Sequence, residues 1–382
     1  MRTLKATFLF FLVLGGTFLI AAEPPANPEI QAVLQPFVDS HEIGGIITLV
    51  ATKDGILAQN VMGYADIAAD KKMKADNLFW IASMSKPVAG TAVMMLVEEG
   101  KIALDDPVTK YIPELAAWKV IAEKSDDRLV LVAPEKPVTV RQLLSHTSGL
   151  AFLAEVQHKF GLASIPLSFT AMPSITGPLT AQPGTTYLYS NQGINVAARI
   201  VEIAAGMPYE EFLQKRLFDP LEMIDTTFWP NDEQLARLVK TYRTNKNKDG
   251  MDEIPIGFFK QPLSDRQSRY AEAGGGLFST TADVYRFCRM IADGGTWNGK
   301  RFLSPESIRE MGRDQTGDLK RHYGLGWGAG GNIMGHGGAQ GTQMKIGDNG
   351  AILIFMIQGA GEATGKADKA FTEAALKVLT TP

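Results

Sequence analysis

Apolar residues at Ile30, Val33, Leu34, Phe37 and Val38 recur at helical spacing and predict a helix over 29–40. Gly45 to Ala51 is rich in β-formers, Lys53-Asp54-Gly55-Ile56 is a hairpin turn, and a returning strand is expected to about Met62. After Asn77 a second helical stretch carries Val88 to Val97 and stops at Gly100. From Leu104 the pattern changes to short helical patches broken by prolines, with a small hairpin turn at Ser125-Asp126-Asp127. Thr139 and Gln142 form a capping box that opens a short helix towards Leu144. Residues 151–180 read as irregular and 181–192 as a loop punctuated by proline and glycine. Helices are expected over 193–205, ending at Gly206, and over about 209–218. The polar stretch 243–255 reads as a surface loop.

Sheet character returns after Gly274-Gly275-Gly276. Helices are predicted over 281–292 and 306–311, and a strand starting at Tyr323-Gly324-Leu325-Gly326-Trp327. A hairpin of strands 339–346 and 351–357 turns at Asp348-Asn349-Gly350. Its second strand is apolar throughout and so belongs at the centre of a sheet. An amphipathic helix over 364–379 follows. The pattern gives an α+β fold: an antiparallel sheet flanked by helices and built from both chain ends, 23–100 and 265–382. A mostly helical domain, 101–264, is inserted between them.

Composition changes this picture in three places. Arg2 and Lys5 precede an uncharged apolar run from Phe8 to Ala22, which Glu23-Pro24-Pro25 ends. The run is short for a membrane span and reads as a signal peptide over 1–22, with export to the periplasm or the cell exterior; an uncleaved N-terminal anchor stays as the alternative. Without Arg2 and Lys5, 36 of the 38 basic residues face 41 acidic ones. That balance argues against nucleic acid or anionic lipid as a partner. The one cysteine, Cys288, sits in a helical pattern and reads as a small buried apolar residue; an internal disulfide is excluded. No metal-ligand spacing and no glycine-rich phosphate or dinucleotide loop occurs, so no cofactor or metal is expected.

The candidate chemistry begins at Ser83-Met84-Ser85-Lys86. Ser and Lys at i and i+3 of a helix share a face, with Cβ atoms about 5–6 Å apart. A serine hydroxyl needs an adjacent base to act as a nucleophile, and a lysine serves if burial or nearby charge lowers its pKa. Pro87 fits only near a helix start, which places Ser83 at the helix N-terminus, where an oxyanion is favoured. This is the one S-x-x-K in the chain, and Tyr189-Ser190-Asn191 is the one Y-x-N. Tyr189, beside cations, could have a lowered pKa and shuttle protons, and Asn191 could hold both the lysine and a substrate amide. Several segments fit a [KH]-x-G pattern. His336-Gly337-Gly338 is selected because it leads into the 339–346 strand, where the glycines let a substrate approach the backbone.

S-x-x-K, then Y-x-N, then H-G-G at a strand start resembles the serine β-lactamase and penicillin-binding-protein superfamily, in particular its class C β-lactamase-related branch of esterases and D-peptidases. Leu104-Asp105-Asp106-Pro107-Val108, Leu143 to Leu150 (LLSHTSGL) and Gly274 to Thr280 (GGGLFST) are similar to it, as is Tyr323 to Trp327 (YGLGW). The resemblance implies Ser83 as the acylated nucleophile, Lys86 as its base partner and Tyr189 as general acid or base. It implies Asn191, His336, Gly337 and Gly338 as substrate contacts, and the amides of Ser83 and Ala339 as the oxyanion hole. True class C β-lactamases carry lysine at the position of His336, so the resemblance favours short-chain esters or D-amino-acid peptides. A true β-lactamase or DD-carboxypeptidase stays as the alternative. The partner expected is a small ester, lactam or peptide.

Two rival readings differ in class. A Ser-His-Asp hydrolase needs a G-x-S-x-G elbow, which is absent; His146 reads instead as a loop hydrogen-bond anchor. A non-catalytic binder of peptidoglycan peptides or β-lactams, such as a sensor, would not need Ser83, Lys86 and Tyr189 together.

Overall fold

The computed structural model describes residues 24–153, 165–247, 250–259, 261–319 and 321–380. The signal peptide expected over 1–22 lies outside them. Helix α1 (Pro28–Asp39) starts where the Asn27 side chain accepts the Glu29 and Ile30 amides, and it buries Ile30, Leu34 and Val38. Strands β1 (Gly45–Thr52) and β2 (Gly55–Asp66) form the predicted hairpin, and β3 (Lys71–Lys72) extends it. Helix α2 covers Ser85–Glu98, α3 Asn191–Ala205 and α4 Thr281–Ala292. The chain then adds β4 (Gly328–Gly330), β5 (Ile333–Gly337), β6 (Gln343–Gly347) and β7 (Ile352–Ile357), and helix α5 (Glu362–Thr380).

The main sheet has the order β4-β5-β6-β7-β1-β2-β3, antiparallel throughout. The two chain ends meet where β7 pairs with β1, from Ile46 opposite Ile357 to Ala51 opposite Ile352. Side chains alternate across β1: Ile46 and Val50 join the core under α1 and α5, while Ile47, Leu49 and Ala51 join the core that holds α2 and α4. All six residues of β7 are buried, as its unbroken apolar sequence requires. Each such side chain contributes about 1.5–3 kcal/mol, so this centre is a rigid base for what hangs on its edge.

Four local expectations change. The helix after Asn77 begins at Ser85, and Ser83 lies in a 3₁₀ turn, Ala82–Met84, that leads into it. The stretch read as a loop over 243–255 is largely a hairpin, Thr241–Thr244 with Met251–Ile254, and Gly359–Ala360 adds to it in parallel. Its strands are polar and partly exposed, so no apolar alternation marked them. Tyr323 to Trp327 forms a turn, and the strand starts at Gly328. His336 does not precede a strand over 339–346. It ends β5, and β6 begins only at Gln343 after a turn over 338–342. Glycines at 335, 337, 338 and 341 leave that stretch without a side-chain period. Among the described residues, no helix is long and apolar enough to cross a membrane.

Candidate active site

The turn that carries Ser83 is held from both sides. Ile81 N–H donates to Leu277 O (3.0 Å) and the Trp80 indole N–H to Gly275 O (2.7 Å). Ser85 Oγ–H donates to Ala82 O (2.6 Å) and accepts from Leu277 N–H (3.1 Å). These bonds fix Ala82 at φ +45°, a strained value for a residue with a Cβ. Ala82, Met84, Ser85 and Lys86 are buried, and Ser83 alone of this turn is half-exposed.

Lys86 is fully buried. Its Nζ lies 3.1 Å from Ser83 Oγ and donates to Asn191 Oδ1 (2.7 Å) and to Gly274 O. Two of these three neighbours can only accept. They take two Nζ hydrogens, and the third direction faces a hydroxyl that can donate. A neutral amine therefore satisfies all three with its lone pair aimed at Ser83 O–H. Burial pushes the Lys86 pKa well below its usual 10.5, and the nearby Glu272 opposes that shift.

Tyr189 enters from the loop before α3. Its hydroxyl faces that of Ser83, and Lys86 Nζ stands 4.6 Å from its ring centre. The expected lowering of its pKa is not found. Burial against the His146 ring (centroids 4.5 Å apart) and the stacked Phe152 ring (6.0 Å) pushes the phenol pKa up, and the Ser83 hydroxyl offsets only part. Tyr189 stays a phenol and a donor at working pH. His146 anchors this loop as expected. Its Nδ1 accepts from Ser190 N–H (3.1 Å), between Tyr189 and Asn191, and burial, followed by the Lys86 charge, lowers its pKa.

His336, at the end of β5, reaches the same place; its ring centre is 6.3 Å from that of Tyr189. Nδ1 is 2.8 Å from Gly337 O, which can only accept, so Nδ1 carries the hydrogen. Nε2 must then accept from the Tyr323 hydroxyl, also 2.8 Å away. Both nitrogens are committed within the fold. Burial and then Lys86 push the pKa down, so the ring stays neutral. Gly338 donates its amide to Thr342 O (2.7 Å). It tolerates no side chain: a Cβ would lie 2.6 Å from Ile81 O and 2.2 Å from Thr342 Oγ1. The turn bearing the exposed Ala339 is thus pressed against the chain two residues before Ser83. Tyr189, His336 and Gly337 form part of the wall of a cleft of about 1030 Å³, with Tyr187, Arg321 and Tyr323.

The structure thus brings Ser83, Lys86, Tyr189, Asn191, His336, Gly337 and Gly338 into one region, with Ala339 in the adjoining turn. A family model described as Beta-lactamase matches residues 30–377. The chain belongs to the beta-lactamase family. Protein Rv1367c of Mycobacterium tuberculosis (strain ATCC 25618 / H37Rv) is 36% identical over 303 residues, 78% of this chain and 74% of that one. Esterase EstB of Burkholderia gladioli is 29% identical over 325 residues, 79% and 78% of the two chains. The solved structure of EstCE1, described as a hydrolase with promiscuous acyltransferase activity, superposes with a TM-score of 0.76 at 23% identity. It covers 91% of this chain and 97% of that one, and shows a shared fold. This member of the beta-lactamase family is a serine hydrolase.

Three residues of the site had no role in the sequence reading. Tyr323 appeared there only as the start of an expected strand and within a flanking phrase. Asn195 lies four residues after Asn191, on the same face of α3, and Glu272 stands between two alanines just before three glycines. A carboxylate in such an apolar, glycine-rich stretch is the signal that could have found it.

Proposed function

We propose that the chain hydrolyses short-chain esters or D-amino-acid-containing peptides through an acyl-enzyme on Ser83. The observation that carries this is the hydrogen-bond geometry of Lys86, whose buried amine has its free direction towards Ser83 Oγ. In this reading Lys86 takes the proton as Ser83 attacks the carbonyl carbon. The amides of Ser83 and Ala339 stabilise the oxyanion. Tyr189, a phenol beside Ser83, donates to the leaving group; its phenolate then takes a proton from the water that attacks the acyl-enzyme, and Lys86 returns the proton to Ser83. Asn191 orients Lys86, and His336, Gly337 and Gly338 line the substrate's path. Ser83, Lys86 and His336 belong to the sheet region (23–100 and 265–382), and Tyr189 and Asn191 to the mostly helical region (101–264). Substrate is held between the two. EstB, a relative named as an esterase, supports the ester class.

The neutral His336 supports it further. A lysine there would offer a substrate carboxylate a charge-assisted hydrogen bond, roughly twice as strong as a neutral one. His336 has no N–H to give, because Gly337 O takes the one on Nδ1. A panel of p-nitrophenyl esters, a D-alanine peptide amide without a free terminal carboxylate and nitrocefin tests the class. Short-chain esters or the peptide should turn over, with nitrocefin about 10- to 100-fold weaker in kcat/KM. His336→Lys should raise the nitrocefin-to-ester ratio about tenfold or more. Nitrocefin turnover should not rise as pH falls through about 6.5, the ordinary imidazole range, because the ring stays neutral. Nitrocefin hydrolysed as fast as esters, with a ratio that His336→Lys leaves unchanged, would contradict the assignment.

The apolar run after Arg2 and Lys5 supports export with removal of residues 1–22. N-terminal sequencing of the exported protein should begin near Glu23. Recovery of a chain that starts at Met1 from the membrane fraction would contradict cleavage.

A further inference from the structure

Near Lys86 lies a carboxyl group that the steps above do not use. Glu272 is buried, 4% exposed, two residues before the Gly274 whose carbonyl accepts from Lys86. Its Oε1 accepts from Asn195 Nδ2 (3.1 Å), while its Oε2 is buried beside the Gly274 and Gly275 backbone with no well-aligned donor among the described residues. Asn195 also holds the segment that joins the two residues. Its Oδ1 accepts from Ala273 N–H (2.9 Å) and Gly274 N–H (3.4 Å), while Nδ2 donates to the Tyr270 hydroxyl (3.2 Å). Glu272 and Asn191 crowd the same point. A Cβ on Gly274 would lie 2.8 Å from Glu272 Oε1 and 2.8 Å from Asn191 Cγ, and Asn191 is itself bonded to Lys86. The titratable groups facing the carboxyl are Lys86 from α2, Tyr189 from the loop before α3 and Tyr209 from the short helix Tyr209–Leu213.

A buried carboxyl with one oxygen clamped by a side chain and the other without a well-aligned donor is costly unless it serves a neighbouring charge. The charge that forms beside it during the proposed reaction is the Lys86 ammonium, created when Ser83 gives up its proton. We infer that Glu272, clamped by Asn195, is a positioning residue that acts through Lys86, stabilising the ammonium that forms as Ser83 is acylated. The inference rests on the reading of Ser83 and Lys86 given above. The carboxylate favours the protonated lysine, which strengthens the base and sets the pH at which it becomes available. Burial of Glu272 raises its own pKa, and Lys86 opposes that. The carboxylate form therefore depends on the lysine it serves.

The sign of the test follows. Without the carboxylate, Lys86 loses its proton at lower pH and is a weaker base. The rate of Ser83 phosphonylation by a fluorophosphonate, in which Oγ bonds to phosphorus and fluoride leaves, is followed by intact mass and rises with pH as Lys86 becomes the free amine. In Glu272→Gln, which keeps an acceptor for Asn195, this acid limb should move to lower pH by about one unit or more. The plateau rate should fall about 10-fold or more. Asn195→Ala deprives the carboxylate of its donor and favours its protonated form. It should move the limb in the same direction by less, and it serves where Glu272→Gln does not accumulate as folded protein. Circular dichroism shows which variants are folded. A folded Glu272→Gln, or in its place a folded Asn195→Ala, that is slower with an unmoved limb would make the carboxyl merely structural and overturn the inference. Wild-type protein labelled elsewhere than Ser83 would overturn the site reading and this inference with it. Wild type labelled at Ser83 with the limb unmoved in the variant overturns this inference alone.

Discussion

Ser83→Ala is expected to turn over esters on the order of 10⁴-fold more slowly than the parent chain, as loss of a nucleophile does in serine hydrolases. The residue is half-exposed in a turn whose neighbours are buried, so its loss should not disturb the fold. Its hydroxyl is 3.1 Å from Lys86 Nζ and faces Tyr189. The substrate contacts are unaltered, so KM should change far less than kcat. What activity survives comes from binding and the oxyanion amides acting on water. Steady-state kinetics on a p-nitrophenyl ester checks this. A loss of less than about tenfold would mean that the nucleophile lies elsewhere.

Lys86→Met and Lys86→Arg should each lose about 10³-fold or more in kcat. The pair separates two roles. Arginine keeps a positive charge in reach of Ser83 but stays protonated under all working conditions, so it cannot accept the serine proton. If Lys86 acted only as a fixed charge, Lys86→Arg would retain much of the activity and Lys86→Met would not. Both should be inactive if the lysine is the base. In the parent chain, kcat/KM should rise with pH through the Lys86 pKa, since the competent form is the free amine. That limb should lie well below 10.5, because burial disfavours the ammonium. A limb at the ordinary lysine value would remove Lys86 as the base at neutral pH.

Features set by near neighbours were legible from the chain. The Asn27-capped helix α1, the β1–β2 hairpin at Asp54-Gly55 and the capping box of Thr139 and Gln142 each depend on a few adjacent residues. The unbroken apolar run of β7 marked the sheet centre for the same reason. Ser83 and Lys86 could be paired because they stand three positions apart in helix-like chain. What was missed depends on distant parts of the chain. The Tyr189 pKa moves up because His146, Phe152 and other side chains bury the ring, and a reading that placed cations beside it could not weigh that burial. Glu272 is recognised only through Asn195, 77 residues away, and through Lys86 on another helix. The commitment of His336 Nε2 as an acceptor follows from Tyr323, which sits in a turn that the pattern assigned to a strand. Glycines, whose missing side chains give no period, hid the boundary between β5 and β6.

The central claim is a covalent one, that substrate carbonyl carbon is transferred to Ser83 Oγ. Intact-mass spectrometry after reaction with a fluorophosphonate or a slowly released ester, followed by peptide mapping, tests it most directly. The account predicts one adduct per chain, on the peptide that contains Ser83, and none on Ser83→Ala. An adduct on another residue, or one that persists on Ser83→Ala, would contradict it.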